Sequence, residues 1–90
     1  TLTWASELAQ YNIRVNAIEP GWTDTPGERR YFSEELIREE GKKLPLGRLA
    51  EPAEIGKAAR FLASEDAAYI TGTILKVDGG FLLPMTTVRV

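Results

Sequence analysis

Two hydrophobic periods alternate along the 90 residues. In residues 1–10, TLTWASELAQ, the apolar Leu2, Ala5, Leu8 and Ala9 recur at the spacing of one helix face, with Trp4 on an adjoining stripe. Asn12 follows, a residue that accepts the left-handed conformation that ends many helices. Ile13-Arg14-Val15-Asn16-Ala17-Ile18 then alternates apolar with polar, is rich in β-branched side chains and stops at Pro20-Gly21, which predicts a strand over about 13–18. Residues 22–32 hold Thr, Asp, Pro, Gly and the pair Arg29-Arg30, and read as a loop. Ser33 is a good N-cap with Glu34 and Glu35 in the turn after it, so a helix is expected over about 34–43. Its strong apolar anchors are only Leu36 and Ile37, and Gly41 weakens its end, which describes a mostly solvated, mobile element. Residues 44–49 form a connector. Pro52 suits a first helical turn, and Ile55, Ala58, Ala59 and Leu62 share a face beside Phe61, predicting a helix over about 52–63. Ser64 ends it and caps a short turn through Asp66. Residues 73–77, TILKV, form a second strand closed by Asp78-Gly79-Gly80, and residues 81–90 show no period.

Helix, strand, helical excursion, strand is the order of an α/β fold. Strands joined through a helical crossover of this length run parallel. Two parallel strands do not make a self-supporting sheet, and a parallel sheet needs cover on both faces. The pattern, opening at Thr1 in a helix already under way, is therefore expected to be a portion of a larger domain.

Composition then removes whole classes of chemistry. With no cysteine there is no disulfide, thiolate or cysteine-based metal site, and with no histidine there is no Ser-His-Asp triad or histidine base. No metal site is expected. A formal net charge of −2 without basic clusters argues against nucleic acid or an anionic membrane as partner. No apolar run approaches the roughly 20 residues that span a bilayer. A cytoplasmic location is compatible with the absence of cysteine.

The segment Ile13-Arg14-Val15-Asn16-Ala17-Ile18-Glu19-Pro20-Gly21-Trp22-Thr23-Asp24-Thr25-Pro26 resembles the stretch of short-chain dehydrogenases/reductases that runs from the sixth strand into the cofactor site. A second block is similar to the last helix and last strand of that family: Leu46-Gly47-Arg48, Pro52 with Glu54-Ile55, Phe61-Leu62-Ala63-Ser64, Ile70-Thr71-Gly72 and Val77-Asp78-Gly79-Gly80. Each piece is weak alone; their order and spacing together are specific. The variant around Trp22 looks like members labelled glucose 1-dehydrogenase or 3-oxoacyl-carrier-protein reductase. The resemblance implies the C-terminal portion of a Rossmann-type three-layer fold, with residues 1–90 belonging to one dinucleotide-binding domain and 26–50 forming the substrate lid. It implies transfer of a hydride between NAD or NADP and a secondary alcohol or ketone. It also implies a homo-oligomer associating through helix 52–63 and strand 73–77.

The family's other hallmarks are missing from these residues. The glycines stand at 21, 27, 41, 47, 56, 72, 79 and 80, and no G-x-G-x-x-G can be built from them. No tyrosine has a lysine four residues on: Tyr11 is followed there by Val15, Tyr31 by Glu35 and Tyr69 by Thr73. The resemblance therefore implies no catalytic residue among these 90, which alone are expected to be inactive, and the competing reading is a segment that serves only in structure or assembly. In the family pattern Pro20, Gly21, Thr23 and Thr25 bind the nicotinamide end of the cofactor, Thr23 through its backbone and Thr25 through its hydroxyl. Trp22, Tyr31 and Phe32 line the substrate side. Without the family, Pro20-Gly21 is a turn and the two threonines are loop surface. Asp78-Gly79-Gly80 is expected to be a tight bend rather than a site.

Overall fold

The computed structural model describes residues 1–81 and 83, so the aperiodic tail lies largely outside the described residues. Helix α1 spans Leu2–Leu8, and a 3₁₀ turn, Ala9–Tyr11, completes it. Asn12 ends this element in the left-handed conformation, φ 59°. Strand β1 spans Ala17–Pro20, helix α2 Pro26–Tyr31, helix α3 Glu34–Lys42, helix α4 Pro52–Ala63 and strand β2 Ile74–Val77. The two strands pair in parallel, with Ala17 opposite Ile74 and Pro20 opposite Val77. Helix α4 packs on β1.

Two expectations are corrected. Regular pairing starts at Ala17, not at Ile13. Residues 14–16 lie beside 70–73 but are held largely through side chains. Val15 N–H donates to Thr71 Oγ1 (3.1 Å), Asn16 Nδ2 donates to Ile70 O (3.1 Å), and Asn16 Oδ1 accepts from Thr73 N–H (3.1 Å). Arg14 turns to the end of α4, donating to Leu62 O at 2.7 Å, Ile70 O at 3.3 Å and Ser64 O at 3.4 Å. Carbonyls that α4 leaves unpaired at its C-terminus are thereby satisfied by a cation, which the helix dipole also favours. The alternation that reads as a strand is thus half strand and half clamp.

Residues 22–32 are not all loop, because α2 lies within them. Thr25 Oγ1 accepts from Glu28 N–H at 3.2 Å, Pro26 occupies the first turn, and Arg29 and Arg30 fall in the last turn. Thr-Pro reads as a turn signal, yet the same pair is an N-cap followed by the residue best suited to open a helix. Ser33 caps α3 as expected, accepting from Leu36 N–H at 3.1 Å. Ile37 is buried while Leu36 is not. Gly41 is buried as well, and a Cβ there would stand 3.2 Å from Arg48 Cα and 3.3 Å from Leu49 Cδ1. Its glycine is what lets α3 lie against the returning chain, so the residue that weakens the helix also docks it.

The buried hydrophobic residues among those described are Ala5, Ile37, Leu49, Leu62 and Ala67. They are small or scattered, and Phe61, Tyr69 and Ile74 remain exposed. An uncovered β2 side chain such as Ile74 fits a parallel sheet whose faces call for further protein.

Candidate functional site

Both strands end on the same edge, at Pro20 and Val77, and the candidate residues begin there. Gly21 N–H donates to Val77 O at 2.9 Å, one step past the last paired residues. A Cβ on Gly21 would stand 2.7 Å from Asp78 Cα and 2.8 Å from Asp78 Cβ. Closeness, not a left-handed backbone, is therefore what demands glycine here, since Gly21 is not among the positive-φ residues. The bend after β2 is built as expected: Gly79 and Gly80 have φ of 62° and 84°, and Asp78 Oδ1 accepts from Gly80 N–H at 3.0 Å.

The chain returning from the excursion closes against this exit. Asp24 N–H donates to Ala50 O at 2.8 Å and Ala50 N–H to Trp22 O at 3.1 Å, a short parallel bridge. Leu46 N–H donates to Gly79 O at 3.2 Å, laying the connector on the bend. These contacts leave a cleft of about 430 Å³ lined by Glu19, Pro20, Gly21, Trp22, Leu44, Asp78 and Phe81. A second cleft, of about 310 Å³, shares Trp22, Leu44 and Asp78 and reaches Arg48 and Lys76.

The sequence-derived site residues fall into two groups. Pro20, Gly21 and Trp22 line the larger cleft. Thr23 Oγ1 donates to Gly21 O at 3.0 Å, so its hydroxyl is committed, while neither the Trp22 nor the Thr23 amide donates to an acceptor among the described residues. The Thr25 hydroxyl oxygen is the cap of α2. Trp22 turns toward α2: its Nε1–H donates to Glu28 Oε2 at 2.9 Å, and its ring meets Phe32 edge-on at 5.7 Å. Phe32 thus touches Trp22. Tyr31 is not brought to the cleft and is 82% exposed.

Two bidentate ion pairs brace the neck of the excursion. Asp24 accepts from Arg29 Nε and Nη2, both at 2.8 Å, which holds the Asp24 carboxyl below its ordinary range. Arg48 donates to Glu54 at 2.7 and 2.9 Å, and Glu54 also accepts from Glu51 N–H at 2.9 Å. The Arg48 guanidinium first, and that backbone donor second, lower the Glu54 pKa to about 2. Glu28, Arg29, Arg48 and Glu54 are absent from the sequence reading of the site. The one signal that pointed toward Glu28 is local: Thr25-x-x-Glu28 has the spacing of a capping box, which marks a helix start.

A protein-family model described as enoyl-(acyl carrier protein) reductase matches residues 1–82. The chain belongs to the short-chain dehydrogenase/reductase family. Among curated short-chain relatives, it is 43% identical over 84 residues to a 3-oxoacyl-(acyl-carrier-protein) reductase of Thermotoga maritima, covering 92% of this chain and 33% of that protein. It is 44% identical over 93 residues to the oxidoreductase UcpA of Escherichia coli O157:H7, covering 96% of this chain and 35% of that one. The crystal structure of a short-chain dehydrogenase family protein from Francisella tularensis superposes with a TM-score of 0.81 at 33% identity, covering 93% of this chain and 39% of that one. The chain thus spans about a third of the length of the curated relatives it matches. Its helices and parallel strand pair are part of the α/β Rossmann-type fold of these enzymes. No helix among the described residues is long and apolar enough to cross a membrane.

Proposed function

We propose that these residues hold the nicotinamide end of NAD or NADP and carry the substrate lid of an oxidoreductase acting on a secondary alcohol or ketone. The carrying observation is the strand exit at Pro20-Gly21. It lies on the carboxyl edge of a parallel pair, where open α/β sheets bind ligands, and it borders a cleft of about 430 Å³. The residues fit the group. The Thr23 amide, with no acceptor among the described residues, is a backbone donor suited to a carboxamide oxygen. The Thr25 hydroxyl accepts from Glu28 N–H yet keeps its own proton to donate. Pro20 stiffens the exit, and Gly21 lets it pass close to Asp78. When bound, the nicotinamide supplies or takes the hydride, and the protein supplies orientation and exclusion of water. Trp22 and Phe32 stand on the substrate side, and residues 26–50 form the lid, with Tyr31 on its outer surface. Helix α4 and β2 associate with a second copy in the parent protein, and the exposed Phe61 and Ile74 supply apolar area for that contact.

The test is direct. The parent enzyme, carrying these residues together with the family's glycine-rich turn and Tyr-x-x-x-Lys pair, is expected to consume reduced nicotinamide, followed by its absorbance, when incubated with NADH or NADPH and a panel of ketones; the 90 residues alone are not. No change with any pair overturns the proposal. The exposure of Phe61, Tyr69 and Ile74 favours a second reading, a segment that works only by packing against further protein. An oligomer lacking hydride transfer would support that reading instead.

A further inference from the structure

We infer that Glu28 is a positioning residue: its carboxylate sets the orientation of Trp22 at the mouth of the cleft, and it does so by a hydrogen bond rather than by charge. The inference rests on the proposed reading of the cleft as the substrate side of the nicotinamide site.

The geometry builds Glu28 into place from both ends. Thr25 Oγ1 caps α2 by accepting from Glu28 N–H itself, which fixes the backbone from which the carboxylate projects. The next residue, Arg29, is tied back to Asp24 by two bonds of 2.8 Å, so α2 cannot swing from the strand exit without breaking them. From that bracket Glu28 Oε2 accepts from Trp22 Nε1–H at 2.9 Å. Phe32, just past the far end of α2, meets the same indole edge-on. The indole is thus gripped at its polar tip by the first turn of α2 and at its ring by the residue after the last turn. A single hydrogen bond leaves a flat ring free to turn about it, and the Phe32 edge removes that freedom. Trp22 lines both clefts, so its setting shapes the space between β1, β2 and the connector. The bond is also the donor's only one among the described residues. With Glu28 gone, the indole N–H would face the site as an unpaired donor or leave for water.

Substituting Glu28 separates this role from an ordinary one. A glutamate in a first helical turn also complements the helix dipole through its charge. Glu28→Gln loses that charge but keeps an acceptor oxygen at the same reach, whereas Glu28→Ala loses both. The intact protein labelled with 5-fluorotryptophan reports the indole directly by ¹⁹F NMR. The Trp22 line is assigned by Trp22→Phe, and the exposed Trp4 serves as internal reference. The Trp22 line is expected to move toward the free amino-acid position and narrow in Glu28→Ala, and to stay in place in Glu28→Gln. In steady-state kinetics of the parent enzyme, Glu28→Ala is expected to raise KM for the carbonyl substrate about tenfold, the equivalent of one hydrogen bond, with KM for the nicotinamide cofactor unchanged. Glu28→Gln is expected to restore most of that loss. A Trp22 line unmoved in Glu28→Ala overturns the inference. So does a line moved equally in both variants, which would assign the effect to charge, and so does an unaltered carbonyl KM despite a moved line. A wild-type parent enzyme that transfers no hydride would instead refute the proposed function, and the ¹⁹F comparison would still decide whether Glu28 holds the indole.

Discussion

Gly21 and Asp78 occupy adjoining strand exits so close that a methyl group on residue 21 would stand 2.7 Å from the Asp78 Cα. The contact is backbone against backbone, so no side chain can rotate away to relieve it. Gly21→Ala must push apart the ends of β1 and β2, at a cost of about 1–3 kcal/mol by analogy with overpacked cores. The midpoint of urea unfolding is the measurement, and a midpoint equal to wild type would refute the contact.

Asn16 bridges the chain entering β2 with both ends of its amide, donating to Ile70 O and accepting from Thr73 N–H. Asn16→Ala orphans the Thr73 N–H and leaves Ile70 O only its Arg14 donor, a loss of about 1–3 kcal/mol if the amide stays dry. Hydrogen exchange at the Thr73 amide is expected to quicken more than exchange within α4. Equal acceleration across the chain would mean that global stability had fallen instead.

The helical glycines divide. Gly41→Ala presses on Arg48 and Leu49 and is expected to lower stability. Gly56, in α4, has nothing within 4 Å of the position its Cβ would take. Gly56→Ala is expected to raise stability by about 0.5–1 kcal/mol, because alanine has less unfolded-state entropy to lose. Thermal unfolding of the two variants should shift in opposite directions.

Glu54 gives a pH dependence whose sign is set by its lowered pKa. Its carboxylate titrates near 2 when folded against an ordinary 4.5. The folded state therefore binds this proton less readily than the unfolded chain. The contribution is present above pH 4.5 and is lost as pH falls toward 2. The ¹³C shift of the Glu54 carboxyl is expected to titrate near 2. In Arg48→Met it should move upward but stop short of 4.5, because the Glu51 N–H still favours the anion. A midpoint unchanged in Arg48→Met would remove the ion pair from the account.

How much was legible in the sequence depended on how local the cause was. Helix α4 agrees at both ends with its sequence expectation, since Pro52, Glu54 and the run through Leu62 act within the helix itself. Ser33 and Asn12 likewise act on their own neighbours, and their roles read directly. Helix α2 was hidden because Thr25-Pro26-Gly27 serves equally well as a turn and as a helix start, and sequence periodicity cannot arbitrate over six residues. Strand β1 begins four residues later than the alternation implies. The alternation in Ile13–Ala17 is real, but Arg14 and Asn16 use their polarity on partners 48 to 57 residues away.

The site shows the same division. The blocks from Ile13 to Pro26 and from Leu46 to Gly80, in their order and spacing, determined the family, the α/β class and the edge at which the two strands end. Those properties follow from short-range preferences repeated in a set order. Only the tertiary structure decided why residue 21 is glycine, where Trp22 points, and which carboxylate holds it. Each of those depends on a distance between segments that are remote in the chain or separated by a helical turn. No spacing in the sequence encodes whether an indole N–H meets Glu28 or water, because that choice is made by the packing of α2 against the strand exit.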